Sequence, residues 1–386
     1  MRRSTDRILT THTGSLPRPA DLDQLIGDRE DGKDVDATAF DHRVTQAVAD
    51  IVAAQLAAGV SVINDGEAGK VGYSTYVKER LTGFGGTGRP ITSVEMAEFP
   101  ELSPTTSGGQ TLLRTIRLPS CDGPVSLRDP DAVHKDIANL KDAVRQAEPA
   151  DVFMSAASPG VIATFLANEY YPTDEEYLFA LAEAMKPEYD AIAGAGIVLQ
   201  LDCPDLAMTR TMLGNESLTD AQFRDKIRTQ VRALNHAVRD IPPEQMRLHL
   251  CWGNSERPHI TDVPMASIVD VILEARPAGL SFEAANPRHE HEWTVWKDVR
   301  LPDGKVLIPG VLDSTTNFVE HPELVAQRIT RFAELAGREN VIAGTDCGFG
   351  TFAGFYTVKP RITWLKLAAM AEGAQIASDR LWKTGS

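Results

Sequence analysis

Four residues in the C-terminal half have the types and spacing of one metal site. They are His249 and Cys251 in "RLHLCWGN", Glu283 in "GLSFEAAN" and Cys347 in "GTDCGFGTF". Each stands at or just past the end of a short apolar run that reads as a strand. His249 and Cys251 are two residues apart, and in a strand residues i and i+2 point to the same side. Two thiolates, an imidazole and a carboxylate suit a soft-tolerant, redox-inert cation, with zinc the first choice. A lone strand cysteine is usually a small buried hydrophobe. The H-x-C pair carries the metal reading only because a second cysteine and a glutamate sit at other strand ends. If those ends meet in space, the chain is a metalloenzyme acting on something that binds zinc well, and a thiol is the natural candidate.

The elements that must bring these residues together are legible as an alternation. Strand-like runs occupy 8–13, 60–65, 152–155, 197–202, 247–251, 279–283, 306–311 and 341–345. Helical patterns fill the intervals at 44–58, 174–193 (with Pro187 as an expected kink or break), 221–239, 265–275 and 322–336. Thr173-Asp174 and His321-Pro322 mark helix starts. Eight strands alternating with helices predict an α/β fold, a (β/α)8 TIM barrel of parallel strands, with an open doubly wound sheet as the rival. We read 1–386 as a single zinc-binding barrel. Residues 81–150 break the rhythm and are read as an insertion between strands 2 and 3, a lid or wall. Within it "TLLRTIRLPS" suggests one strand of a hairpin and "DAVHKDIANLKDAV" a helix.

In a parallel barrel the chemistry gathers at the C-terminal strand ends. Those ends read His12-Thr13-Gly14-Ser15, Asp65-Gly66-Glu67, Asp202-Cys203-Pro204-Asp205 and Asp313-Ser314-Thr315, besides the four metal candidates. Asp65 and Glu67 could equally cap the following helix. "HEHEW" around His289 looks metal-like but lies in a charged loop beyond the strand and reads mostly as solvated surface or as a supporting residue behind the metal ligands. Cys203 and Cys121 read as packed thiols. "GFGGTG" lacks the strand context and the lysine of a phosphate loop.

A net charge of −15 on 386 residues argues against a nucleic acid or an anionic membrane surface as partner. No apolar segment follows the N-terminal "MRRS", and the longest apolar stretch is interrupted by Asp50 and Gln55. Four cysteines are too few for a disulfide scaffold and point to a reduced, cytoplasmic chain.

The ordered set "HTGSLPRP", "NDGE", "LQLDCPD", "HLCWGN", "FEAAN", "PGVLDSTT" and "TDCGFGT" resembles the catalytic C-terminal barrel of cobalamin-independent methionine synthase, over about residues 8–375. The resemblance implies Zn2+ held by His249, Cys251, Glu283 and Cys347. It implies that Glu67 and Asp202 hold the ammonium of an amino-acid thiol such as homocysteine, and that Ser15 with the Gly14 backbone holds its carboxylate. Three departures stand out. The family places a proton-donating histidine where this chain has Thr315, and a neutral threonine is a poor general acid. The family's Asp-Glu-Pro is here Asp202-Cys203-Pro204, and its tryptophan near the folate is absent, the nearest aromatics being Phe165, Tyr170 and Tyr171.

The expected activity is therefore transfer of a methyl or alkyl group from a small-molecule donor onto a thiol held by zinc as thiolate. Glu283, a hard donor among soft ones, is expected to loosen as the substrate sulfur enters. Asp313, Thr315 and His12 are candidates to supply a proton to the leaving group. The alternative is alkylation of coenzyme M by an epoxide, as in epoxyalkane:coenzyme M transferases. Its sulfonate would need cations such as Arg18, Lys359 or Arg361. A zinc hydrolase and a structural zinc barrel are further rivals.

Overall fold

The computed structural model describes residues 1–88, 92–102 and 118–383. Its spine is a parallel sheet of six strands in the order β1-β4-β5-β6-β7-β8. Here β1 is Val62–Ile63, β2 Phe84–Gly85, β3 Ser120–Cys121, β4 Asp151–Ala157, β5 Val198–Asp202, β6 Met246–Leu250, β7 Gly279–Phe282 and β8 Val306–Pro309. Every residue of β5 and β6 is buried, as expected for parallel strands covered on both faces.

The sheet curls. Leu9 and Ile342 pack with Val62 of β1, Phe153 of β4, Val198 of β5, and Val306 and Ile308 of β8 in one buried apolar cluster, so residues from both edges of the sheet meet. Two extended segments run between those edges. Ser61 and Val62 donate backbone hydrogen bonds to the Thr10 carbonyl, Thr11 donates to Ala343, and Ile342 donates to Leu307. Isolated parallel bridges join Thr10 to Ala343, Leu307 to Val341 and Gly310 to Gly344. The expected strands at 8–13 and 341–345 are thus present as single bridges and not as ladders.

The curled sheet is apolar at one end and polar at the other. Gln200 and Arg247 occupy the middle layer. The Arg247 guanidinium lies 3.4 Å from the Phe153 ring centroid and donates to Gln200 Oε1 at 2.7 Å, Thr11 Oγ1 at 2.9 Å and the His12 carbonyl at 2.7 Å. Burying such a group is tolerable only because its donors are matched. By the two-residue period, Asp202 and His249 extend this polar file to the C-terminal ends of β5 and β6.

Helices cover the outside. Asp174–Gly194 starts where Thr173 caps Glu176, and it runs through Pro187 without the expected break, held by the buried Tyr177, Leu181, Met185 and Tyr189. Pro322–Ala336 keeps the limits read from sequence, with His321 as its cap. The helix expected over 265–275 is instead a 3-10 turn, Met265–Ser267, and a short helix, Val269–Leu273. Pro277 disfavours helical geometry in the residue before it and limits the run. In the 81–150 region, β2 and β3 pair antiparallel and the helix Asp131–Val144 follows. The strand expected in "TLLRTIRLPS" falls mostly outside the described residues.

Candidate metal and thiol site

His249 is the fourth residue of β6, and Cys251 lies just past the strand's end. Cys347 follows the extended segment bridged to β8. The nitrogen of His249 and the sulfurs of Cys251 and Cys347 lie within 4.8 Å of one another, all on buried residues. Register explains the imidazole's orientation. His249 is opposite Ser281 in β7, and its Nδ1 is 3.2 Å from the Ser281 hydroxyl. That leaves Nε2 buried with no hydrogen-bond partner. Burial holds the imidazole neutral by lowering its pKa to about 3. The Cys347 thiol hydrogen-bonds Cys251, which lowers the Cys251 pKa and raises that of Cys347. A neutral imidazole with an unused lone pair facing two sulfurs, one of them favouring thiolate, is a donor set that fits a zinc ion.

Glu283 stands beside this cluster and not in it. Its Oε1 accepts the Trp252 N–H at 2.7 Å and its Oε2 accepts Asn286 Nδ2 at 2.7 Å. Burial, together with the Cys251 charge, pushes its pKa well up. The neighbouring loop is tied down by Asp346, whose carboxylate accepts backbone N–H groups of Ala284, Ala285 and Asn286 at 2.8, 2.9 and 2.8 Å. A Cβ at Gly310 would lie 2.0 Å from Asp346 Oδ1, so this clamp needs a glycine there.

The cluster forms the floor of a cavity of about 180 Å3. Ser15, Glu67 and Asp202 line the same cavity. Glu67 has φ +56°, and its Oε2 is buried without a partner. Gly14, at φ +139°, lets the chain pass against that carboxylate, where a Cβ would lie 2.6 Å from Oε1. Asp202 accepts Gln200 Nε2 at 2.7 Å, and burial with the Glu67 charge beside it pushes its carboxyl well up. Two carboxyl groups thus point into one small space, and among the described residues no ion pair joins a lysine or arginine to either.

The remaining candidates lie elsewhere. His12 is not among the lining residues. Its Nε2 is bonded to Gln55 Oε1 at 2.7 Å and its Nδ1 takes the Gly14 N–H. Asp313 and Thr315 do not line the cavity either. The Thr315 hydroxyl donates to Asp313 Oδ1 at 2.8 Å, and the Ser314 hydroxyl donates to Asn254, which does line it. Arg18 is buried with its guanidinium spent on the carbonyls of Ala68, Gly350, Glu67 and Lys70, while Lys359 and Arg361 are exposed. None of these three cations reaches the cavity wall.

Sequence reasoning missed the outer wall: Tyr73, Phe352, Phe355, Met96, Met208 and Met212. Phe352 and Phe355 follow the "TDCGFGT" motif closely, which was the available clue. Of the two readings of His289, solvated surface or a supporting residue behind the metal candidates, the first does not hold. The imidazole is buried, stacks on Trp252 at 4.1 Å, and bridges Asp262 at 2.9 Å and Glu292 at 3.0 Å.

Fold and site together define an α/β protein with an imidazole–thiol cluster at the C-terminal ends of a curled parallel sheet. No family model matches the chain. It is 24% identical over 377 residues to a methionine synthase of Thermococcus kodakarensis, covering 97% of this chain and 95% of that protein. It is 25% identical over 387 residues to a methionine synthase of Saccharolobus islandicus, covering 97% and 96%. Among solved structures, a B12-independent methionine synthase from Shewanella sp. W3-18-1 superposes with a TM-score of 0.75 at 18% identity, over 98% of this chain and 99% of that one. A methyltransferase from Methanosarcina mazei gives 0.54 at 13% identity, over 96% and 94%. Over nearly its whole length the chain is thus similar in sequence to archaeal methionine synthases, and it shares its fold with a B12-independent methionine synthase, the family that its motifs resemble.

Proposed function

We propose that this chain is a zinc-dependent transferase that moves a methyl group onto a substrate thiol, of the homocysteine-to-methionine type. The observation that carries this reading is the His249 imidazole, with Nε2 buried and unpartnered and a ring nitrogen within 4.8 Å of the Cys251 and Cys347 sulfurs, in a cavity also lined by Glu67, whose Oε2 is buried without a partner. His249, Cys251 and Cys347 would hold the ion, with Glu283 as the displaceable fourth ligand. Zinc bound there supplies a way to keep a thiol deprotonated at neutral pH. Glu67 and Asp202 would take the substrate ammonium. Ser15 and the Gly14 backbone would take its carboxylate. The wall residues exclude water from the sulfur. The names of the relatives support homocysteine as the acceptor. In this reading the chain is one closed (β/α)8 barrel over 1–386, with the segments at 8–13 and 341–345 as its first and last strands and 81–150 as an insertion.

The coenzyme M alternative is disfavoured, because a sulfonate would face Glu67 and Asp202 with no unpaired cation among the described lining residues. We assign no proton-transfer role to His12, Asp313 or Thr315, given where their polar atoms are engaged.

The test is metal analysis of purified protein together with capture of a reactive methyl group. Protein with one equivalent of zinc should convert homocysteine and methyl iodide to methionine far faster than free homocysteine reacts. Absence of stoichiometric zinc binding, or no acceleration by the zinc-loaded protein, would reject the reading.

A further inference from the structure

The outer half of the cavity differs from its floor in a way that bears on the methyl donor. Tyr73, Phe165 and Phe352 form a ring-on-ring corner, with centroids 5.8, 5.7 and 6.4 Å apart and interplanar angles of 83°, 61° and 50°. Met96, Met208 and Met212 complete the wall. Among the described residues lining the cavity, Arg257 is the one cation. It is already matched, with Nε 3.3 Å from Glu95 and Nη2 3.5 Å from Asp262. Against it stands Glu67, with the Asp202 carboxyl beside it pushed well up by burial and by the Glu67 charge. A bound amino thiol would bring an ammonium and a carboxylate that offset one another, with its sulfur charge shared with zinc. The cavity is therefore net negative and lined by π faces and soft sulfurs, the surroundings in which cations are held by ring quadrupoles. For an anion the described wall holds no unpaired cation, only neutral hydroxyl and amide groups such as Ser93, Asn254 and Ser255.

Size and proton supply point the same way. About 180 Å3 is well short of the roughly 300–1,000 Å3 that enclose a drug-sized ligand. An amine leaving group would have to gain a proton, yet Thr315 and His12 lie off the cavity, and Asp202, which lines it, is taken by the substrate ammonium in the thiol-methylation reading. Tyr73, which lines it, has its phenol pushed up by burial and is a poor acid.

We propose that the aromatic and methionine wall binds a methyl onium cation, a sulfonium or quaternary ammonium compound, as the methyl donor. This rests on the thiol-methylation reading above and names its second substrate class. The reaction balances without a proton. The thiolate sulfur uses a lone pair to form a bond to the methyl carbon. The bond from that carbon to the positive sulfur or nitrogen breaks, and its electron pair stays with the leaving atom. A thiolate and a cation become two neutral molecules, a thioether product and a neutral thioether or amine. The missing acid at Thr315 is then no defect, because the leaving group needs none.

Binding is measured first, by calorimetry on metal-free protein, with trimethylsulfonium, choline and the neutral choline isostere 3,3-dimethylbutan-1-ol. The cations should bind about tenfold tighter than the neutral compound. Phe352→Leu and Phe165→Leu should erase that preference while zinc and homocysteine affinities stay unchanged. Equal binding of cation and isostere overturns the proposal. Turnover is measured next, with zinc-loaded protein and homocysteine. Trimethylsulfonium or glycine betaine should yield methionine with one equivalent of dimethyl sulfide or dimethylglycine, and the product tells which onium is used. Methyltetrahydrofolate should give less than about a hundredth of that rate, a gap of roughly 2.7 kcal/mol. A folate rate equal to or above the onium rate overturns the inference. If methyl iodide is captured but no onium compound reacts, this inference fails and the thiol-methylation reading survives. If methyl iodide is not captured either, both fail.

Discussion

Among the described residues two groups of three metal-type side chains each lie within 4.8 Å of one another: His249, Cys251 and Cys347, and His259, Asp262 and His289. They are opposites in chemistry. In the second group every ring nitrogen is engaged. His259 meets Asp262 at 2.7 Å and the Ser255 carbonyl at 3.0 Å, while His289 meets Asp262 at 2.9 Å and Glu292 at 3.0 Å. Burial works against a charged His289, but Asp262 and Glu292 outweigh it and raise the imidazole to about 10, so it carries a proton. Arg257 adds a further positive charge at Asp262. That group is an ion-pair knot whose protons and guanidinium already occupy the place of a metal. In the first group the imidazole is neutral and Nε2 has no partner. Proximity of ligand types is thus a weak criterion, and a neutral ring nitrogen left without a partner is the informative one.

The largest effect expected from that contrast is on metal content. Cys251→Ser and Cys347→Ser should each lower zinc affinity by about a hundredfold or more, near or beyond the upper end of ordinary ligand-shell losses. His259→Ala should leave one equivalent bound, read by metal analysis after dialysis against a mild chelator. If both groups lose zinc equally, the distinction collapses. Next in size is the knot's contribution to stability. Asp262→Asn removes the carboxylate shared by two imidazoles and Arg257 in a buried setting and should cost ~3 kcal/mol, read by urea unfolding, with zinc retained. Glu67→Gln should leave zinc in place and weaken homocysteine binding by ~10- to 100-fold, equivalent to ~1.4–2.7 kcal/mol, read by calorimetry. Unchanged homocysteine affinity would remove Glu67 from the substrate site.

The smallest effect sharpens the picture outside both groups. Asp205 lies near the floor at the end of β5, hydrogen-bonded by the Ser158 hydroxyl at 2.9 Å, and burial raises it to about 7. Its folded value is above its unfolded one, so its favourable contribution is complete below about pH 4 and is lost as pH rises through about 7. Asp205→Asn should therefore gain stability relative to the parent between pH 5 and about 8, by ~1–3 kcal/mol. Parallel urea midpoints for the two proteins across that interval would contradict it.

Much of the site was legible because its residues obey local rules. The H-x-C spacing needs only the strand period, and Thr173 and His321 announce their helices by capping. What was not legible is tertiary. Tyr73, Phe165 and Phe352 read equally well as core, and only the curl of the sheet turns them toward one cavity. His289 sits in a stretch of charges that suggests a solvated loop. It is buried because partners from elsewhere in the chain, Asp262 and Trp252, close around it. The segments at 8–13 and 341–345 look like ordinary strands in composition, but their pairing as isolated bridges depends on how two sheet edges approach one another.

That sparse pairing has a mechanical consequence. Cys347 belongs to the loosely stitched edge and Cys251 to the fully laddered middle of the sheet. An ion gripped by both would act as a rivet across the weakest join in the wall. Amide hydrogens around Ala343 and Thr11 should therefore exchange with deuterium markedly more slowly once zinc is added, while those of β5 change little.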